Sequence, residues 1–362
     1  MKTLLTLLCC LGQVRPGSAQ ELSPEQIWAQ TMAKHGQIAF RGDKRLSVTR
    51  GDEHFMGKVH TEYADSEHFA LTIEAPGVTR TPLGFGVDAG RSWASFPDEG
   101  LFFHNGAPET RLFAAQLLLD QLPSWPQRVS PTAYGLRRLP DAIVALTPCY
   151  RIEFMPSNGL SRPRLNYWIA RDSFQILRSS RSRDYHDQPG YETLNYAESE
   201  YTLFRPLEAS QPPAVAPPHV SGGIQVDLQQ SFGNAFRTYP DPESAARAEK
   251  LRIYQPAWLP EGFALQQVQL LRVFGVPIQI LNYSDGLNLL SVAAQPQIEL
   301  SSLIFSGLVN LNYFAITRRM VSLKPYAPYD YYSRFTPGYQ TIVFGDLDWN
   351  SLRRVSESLP VP

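Results

Sequence analysis

Between residues 67 and 74 a large apolar side chain recurs at every second position. Phe69, Leu71 and Ile73 point to one side and His68, Ala70 and Thr72 to the other, the signature of a half-buried strand. The same period runs through residues 37–41, 45–50, 54–63, 78–88 and 91–96, with a turn expected at Gly42-Asp43. It resumes at 134–139, 143–146, 150–154, 165–170, 174–180 and 191–204. Short strands in series predict an antiparallel sandwich or an incompletely closed barrel. Two stretches break the pattern with a helical period. At the first, Ser23 caps, Pro24 takes the first position and Gln26 completes a capping box, so Ile27, Trp28, Thr31, Met32 and His35 share one face up to Gly36. The second, residues 109–122, is apolar round more than half its circumference and stops at Pro123-Ser124-Trp125-Pro126. Such a helix must be buried on two sides or face an apolar cavity.

Residues 208–223 hold Pro212, Pro213, Pro217, Pro218, Gly222 and Gly223 and almost no large apolar side chain, as expected of a semi-rigid linker. The expected division is therefore 20–207, a linker at 208–223 and a second domain at 224–362. In that second domain Asp241 caps a helix. Leu259-Pro260-Glu261-Gly262 fits a type I turn between Trp258 and Phe263. Tyr283-Ser284-Asp285-Gly286-Leu287 separates two apolar runs, a hairpin signature. Residues 300–316 are apolar but carry Ser301, Ser302, Ser306, Asn310 and Asn312, which favours paired strands about Gly307 over a membrane span. Residues 324–339 form a Tyr- and Pro-rich loop, and Asp348 opens a final helix with Leu352, Val355 and Leu359 facing the core.

Composition narrows the function. The chain has 362 residues and a net charge of −1, which gives no bulk electrostatic case for nucleic acid. Lys2, an apolar core at residues 4–11 and Gly17-Ser18-Ala19 read as a cleaved secretory signal occupying residues 1–19. Cleavage leaves Cys149 as the single cysteine, a buried small hydrophobe rather than half of a disulfide. The chain contains no Gly-x-Ser-x-Gly elbow, phosphate loop or His-Glu-x-x-His, and no cofactor is implied. His54 and His60 have the same strand parity but stand about 20 Å apart, so they do not form a metal site by themselves. Asp184-Tyr185-His186-Asp187 reads as a polar loop. Binding is what remains, and two sets of residues could carry it. Trp28, Met32, Phe69, Leu71, Ile73, Trp93, Leu117, Leu118, Trp125 and Trp168 would line an apolar cavity. An acyl chain could lodge there at about 0.8 kcal/mol per buried CH₂. Trp258, Phe263, Tyr326, Tyr329 and Tyr332 would face a protein partner, since Tyr is enriched at recognition surfaces.

The Trp258-Leu259-Pro260-Glu261-Gly262-Phe263 turn is followed by Tyr283-Ser284-Asp285-Gly286-Leu287. The block Thr341-Ile342-Val343-Phe344-Gly345-Asp346-Leu347 leads into the last helix. Together they resemble the C-terminal domain of the MucB/RseB family of periplasmic anti-sigma-factor regulators. The hairpin from Arg164 through Asp172 to Arg178 is similar to one in the LolA-like superfamily of lipoprotein carriers. The resemblance implies an α+β, mainly β chain: a curved antiparallel half-barrel sheet wrapped around helices, plus a smaller α+β domain. It also implies a membrane-bound anti-sigma factor and a lipid as partners. A periplasmic carrier of lipid or lipoprotein acyl chains is the alternative.

Overall fold

The structure, a computed structural model, describes residues 21–34, 36–106, 133–157, 162–183, 194–208, 215, 223–227, 236–273, 276–296 and 330–360. Two sheets organise them. The larger is built from β1 (Phe40–Arg50), β2 (Glu53–Asp65), β3 (His68–Glu74), β4 (Leu83–Asp88), β5 (Arg91–Phe96) and β6 (Leu101–Gly106). It continues with β7 (Tyr134–Val144), β8 (Thr147–Pro156), β9 (Arg164–Ala170), β10 (Ile176–Ser182), β11 (Leu194–Pro206) and β12 (Ile224–Asp227). These 12 strands lie in the order β12-β6-β5-β4-β3-β2-β1-β11-β10-β9-β8-β7, with β12 and β7 at the edges, so the curved sheet does not close. Every pairing is antiparallel except that of β12 with β6. Ile224, expected at the opening of the second domain, thus lies opposite Leu101 in the first sheet.

The alternating pattern becomes burial. Phe69, Leu71 and Ile73 share a core with Phe40, Val59, Leu83, Phe85, Phe96 and Phe103. Helix α1 (Pro24–Lys34) lays Ile27 and Trp28 over Ile152, Phe154, Leu165 and Tyr167 of β8 and β9. Its capping box forms as expected: the Ser23 amide donates to Gln26 Oε1 (2.9 Å) and the Gln26 amide to Ser23 Oγ (3.2 Å).

Two expectations are corrected here. Gly42-Asp43 is not a turn; β1 runs through it unbroken to Arg50, and the turn comes at Gly51-Asp52. The glycine is there because a Cβ at Gly42 would collide with the Tyr201 ring of β11. Residues 134–139 and 143–146 are not separate strands either. The strand β7 continues through Pro140 by an irregularity between Leu139 and Ala142, a tolerated place for Pro on an edge.

The smaller sheet holds β13 (Phe236–Tyr239), β14 (Ala264–Val273), β15 (Val276–Ser284), β16 (Leu289–Pro296), β17 (Asp330–Thr336) and β18 (Tyr339–Gly345). Its 6 strands are ordered β13-β14-β15-β16-β18-β17. Helix α2 (Pro242–Glu249) is capped by Asp241, whose carboxylate accepts from the Ser244 amide at 2.7 Å. Helix α3 (Trp349–Glu357) is capped by Asp348 in the same way at 2.9 Å, and Leu352, Val355 and Leu359 are buried as expected. The turn after Trp258 sits one residue later than expected. The Phe263 amide donates to Pro260 O (3.2 Å), and Gly262 takes the third position with φ 82°, the type II pattern. Residues 324–339 are not all loop: from Asp330 the alternation of Tyr332 and Arg334 against Tyr331, Ser333 and Phe335 pairs with β18. The expected helix at 109–122, the stretch at 300–316, His35 and residues 184–187 lie outside the described residues, as does most of the linker.

Glu249 anchors α2 to the sheet. It accepts from Tyr239 Oη (2.6 Å) and pairs with Arg272 (2.8 Å) and Arg237 (2.9 Å). The Tyr239 hydroxyl and then Arg272 hold its carboxyl below the usual glutamate range. A carboxyl whose folded value is depressed stabilises the fold above its unfolded value, about 4.3, and loses that contribution as pH falls through the folded value. Glu249→Gln is therefore expected to lose about 1 kcal/mol at neutral pH. That difference from the wild type should vanish below the carboxylate range in urea melts run across pH.

Candidate functional site

Cys149 on β8 is fully buried, and burial pushes its thiol up to about 11. It is thus an inert packing residue at neutral pH. A chain beginning at Gln20 is expected to resist a maleimide at pH 8 until urea is added; rapid labelling without urea would contradict the burial. Among the described residues no group of three His, Cys, Asp or Glu side chains is placed to hold a metal ion.

The most elaborate arrangement lies between the two sheets. Arg50 ends β1, Arg181 lies near the end of β10, Arg183 follows it and Arg162 precedes β9. Against them stand three aspartates of the smaller sheet: Asp285 in the β15–β16 turn, Asp330 at the head of β17 and Asp346 just past β18. Arg183 bridges two of them, Nη1 to Asp330 Oδ2 at 2.5 Å and Nη2 to Asp346 Oδ1 at 2.6 Å. Arg50 reaches the other Asp330 oxygen at 2.6 Å, and Arg181 the other Asp346 oxygen at 2.7 Å. The Arg50 and Arg183 side chains are each 1% exposed, so these charges have left water and depend on one another.

The strand period explains why the arginines meet there. Arg50 continues the inward parity of Leu46 and Val48, and Arg181 lies opposite Ala197 on the same inward side. The charged row thus stands on the buried face of β1 and β10, with Arg181 level with Val48 and Ala197 and Arg50 one repeat beyond them.

The hairpin turn of the smaller sheet plugs into the same side. Asp285 accepts from the Leu287 and Asn288 amides (2.9 and 2.8 Å), which fixes the turn. Leu287 is then buried among Trp28, Phe154 and Tyr167 of the larger sheet, and Asn288 Nδ2 donates to Tyr134 Oη at 2.6 Å. Arg162 closes the contact. It pairs with Asp285 (3.3 Å), donates to the Glu261 carbonyl and lies over the Phe263 ring at 5.2 Å. Burial, and secondarily the Asp285 charge, push the Tyr134 hydroxyl well above its ordinary value, so it stays protonated. Both sequence motifs of the second domain, the turn at 259–263 and the hairpin at 283–287, therefore touch the first sheet through Arg162.

The expected cavity residues fall into separate places. Trp28 and Met32 pack with the β7–β9 cluster; Phe69, Leu71 and Ile73 sit in the core over β1–β6. Trp168 belongs to that second core, its ring flanked by Arg178 (4.3 Å) and Arg151 (4.8 Å). Trp93 does not join them. Its indole lies against Gly84 and Gly86, on the face opposite Phe85 and Val87. Leu117, Leu118 and Trp125 lie outside the described residues. Of the expected partner-facing residues, Phe263 is buried, while Trp258 and Tyr332 are half-buried against the core of the smaller sheet. Trp258 carries the Arg354 guanidinium at 4.1 Å, and Tyr332 meets Trp349 edge-on at 5.3 Å. Tyr326 and Tyr329 lie outside the described residues. Sequence reasoning missed the arginine–aspartate row: its members are scattered between residues 50 and 346 and carry no local motif. The parity of Arg50, on the inward row of β1 with Leu46 and Val48, was the one available signal.

No protein-family model matches the chain, and no curated protein matches its sequence. Solved structures do. MucB in complex with MucA(peri) superposes on 93% of this chain and 98% of its own, with a TM-score of 0.51 at 16% identity. The Pseudomonas aeruginosa MucA/MucB complex gives the same figures: TM-score 0.51, 16% identity, and coverage of 93% and 98%. MucB alone superposes with a TM-score of 0.51 at 17% identity, covering 93% of this chain and 97% of its own. Among the described residues no helix is long and apolar enough to cross a membrane. The superposition covers nearly the whole of this chain, and its fold is that of MucB.

Proposed function

We propose that this chain is a periplasmic regulator that binds the exported domain of a membrane-bound anti-sigma factor. The observation that carries the proposal is the match in fold, over nearly the whole of both chains, to MucB solved in complex with MucA(peri). The release signal in this reading is a lipid or other hydrophobic ligand taken up by the concave face of the larger sheet.

The route from that signal to the partner is the arginine–aspartate row. Arg50, Arg181 and Arg183 stand on the inward side of β1 and the β10 end, where a ligand between sheet and helices would displace backbone. Their partners stand on β17 and at the end of β18. A buried network of this kind holds one arrangement tightly and gives it up as a unit, which is the bistable element a two-site regulator needs. A carrier without a second domain has no use for such a row.

The test is affinity capture from envelope extract with the chain starting at Gln20 as bait, with bound protein and lipid both identified by mass spectrometry. Recovery of one single-pass membrane protein, with less of it when lipid extract is added first, is the expected result. Lipid without any membrane protein would overturn the regulator and leave a carrier.

A further inference from the structure

The hairpin joining β7 to β8 turns on Ala145 and Leu146, with φ of 47° and 63°. Two successive left-handed residues between paired strands make the turn that favours Asn-Gly, because L side chains are strained there. Neither Ala nor Leu has a side chain that compensates. Leu146 is moreover 96% exposed, and Ile143, beside it on the same tip, is 73% exposed. The tip thus places two aliphatic side chains in water on a strained turn. Strain and exposure together point to function, since neither contributes to folding.

Behind the tip stands a collar of aromatic rings and cations. The Tyr150 ring lies between the Arg171 and Arg138 guanidiniums at 5.1 and 5.3 Å. Tyr150 also meets Phe174 at 6.1 Å, and Lys34 stands over the Phe174 ring at 4.6 Å. Asp141 pairs with both arginines, Glu21 pairs with Arg138, and Asp172 follows Arg171, so the collar is not purely basic. The cations at the tip itself are Arg138, Arg171 and Lys34; Arg162, Arg181 and Arg183 of the same stretch are buried against the aspartates of the smaller sheet. Tyr150 is four residues behind Leu146, roughly 13 Å along the strand. An aliphatic tip backed by Tyr and Arg at that depth reproduces the layering of a bilayer interface, where chains are apolar and headgroups take amphipathic rings and cations.

We propose that the β7–β8 tip inserts into an anionic phospholipid surface, with Ile143 and Leu146 among the acyl chains and Arg138, Arg171 and Lys34 at the headgroups. A two-residue point presents too little area for a stable protein contact, whereas a wedge suits a fluid surface. The inference does not depend on which protein the chain binds.

Co-sedimentation with vesicles tests it, using phosphatidylcholine alone and an equimolar mixture with phosphatidylglycerol. The wild-type chain from Gln20 is compared with Ala145→Asn/Leu146→Gly. That double substitution suits the turn, so its melting temperature is expected to be equal or higher, which removes misfolding as an explanation. Binding is expected to be stronger on the anionic vesicles and to fall about ten-fold in the variant, the worth of one large aliphatic side chain. Absence of wild-type binding, or equal binding by the variant, would overturn the proposal. So would a variant that keeps vesicle binding but captures less membrane protein, since the tip would then be a protein wedge.

Discussion

Asp346→Ala is expected to cost about 3–5 kcal/mol of stability, because it strands charge that cannot return to water. Arg183 loses one of its two carboxylates and Arg181 its close one, with Arg183 only 1% exposed. The loss should appear in urea unfolding as a lower midpoint, and as a separate early transition if the sheets part before they melt. Arg353–Glu357 is the internal control: a pair spaced i,i+4 with both side chains nearly half exposed, expected to contribute about 0.5 kcal/mol or less. If removing Glu357 and removing Asp346 cost the same, the row between the sheets is not holding them.

The second large effect is at Phe154. Its ring is fully buried, with Trp28 edge-on at 4.8 Å, Tyr167 at 5.8 Å and Tyr134 at 6.2 Å. Phe154→Ala removes the centre of that aromatic group and is expected to cost about 3–5 kcal/mol in thermal or urea melts. The same cluster receives Leu287 from the smaller sheet, so the cavity also loosens the seat of the β15–β16 turn. A greater sensitivity of residues 285–288 to proteolysis should accompany the lost stability. A loss under about 1 kcal/mol would mean that the aromatic cluster collapses onto the gap and is not the rigid seat described here.

Much of this was legible from local pattern. The alternation at 67–74, the capping box at Ser23 and the caps at Asp241 and Asp348 each specify their element within a few residues, and each forms. Three of the errors share a cause: strand pairing, near or far in sequence, overrode a local turn or loop signal. Gly42 reads as a turn residue, but Tyr201 of β11 requires its missing Cβ. Residues 330–336 read as a Tyr-rich loop, but β18 offers them a paired edge. The site was less legible than the fold. Arg50, Arg181 and Arg183 are ordinary strand arginines until the smaller sheet brings Asp330 and Asp346 within 2.7 Å. Leu146 reads as the end of an apolar strand, and only the turn geometry reveals that it stands in water.

The central claim is that the chain grips the exported domain of an anti-sigma factor. The most direct measurement is calorimetric titration of the chain from Gln20 with the purified exported domain of the anti-sigma factor encoded in the same genome. Saturable binding of defined stoichiometry, about micromolar or tighter, with the exported domain then resistant to protease, is the predicted result. No heat and no protection, from a chain that still melts cooperatively, would contradict the account.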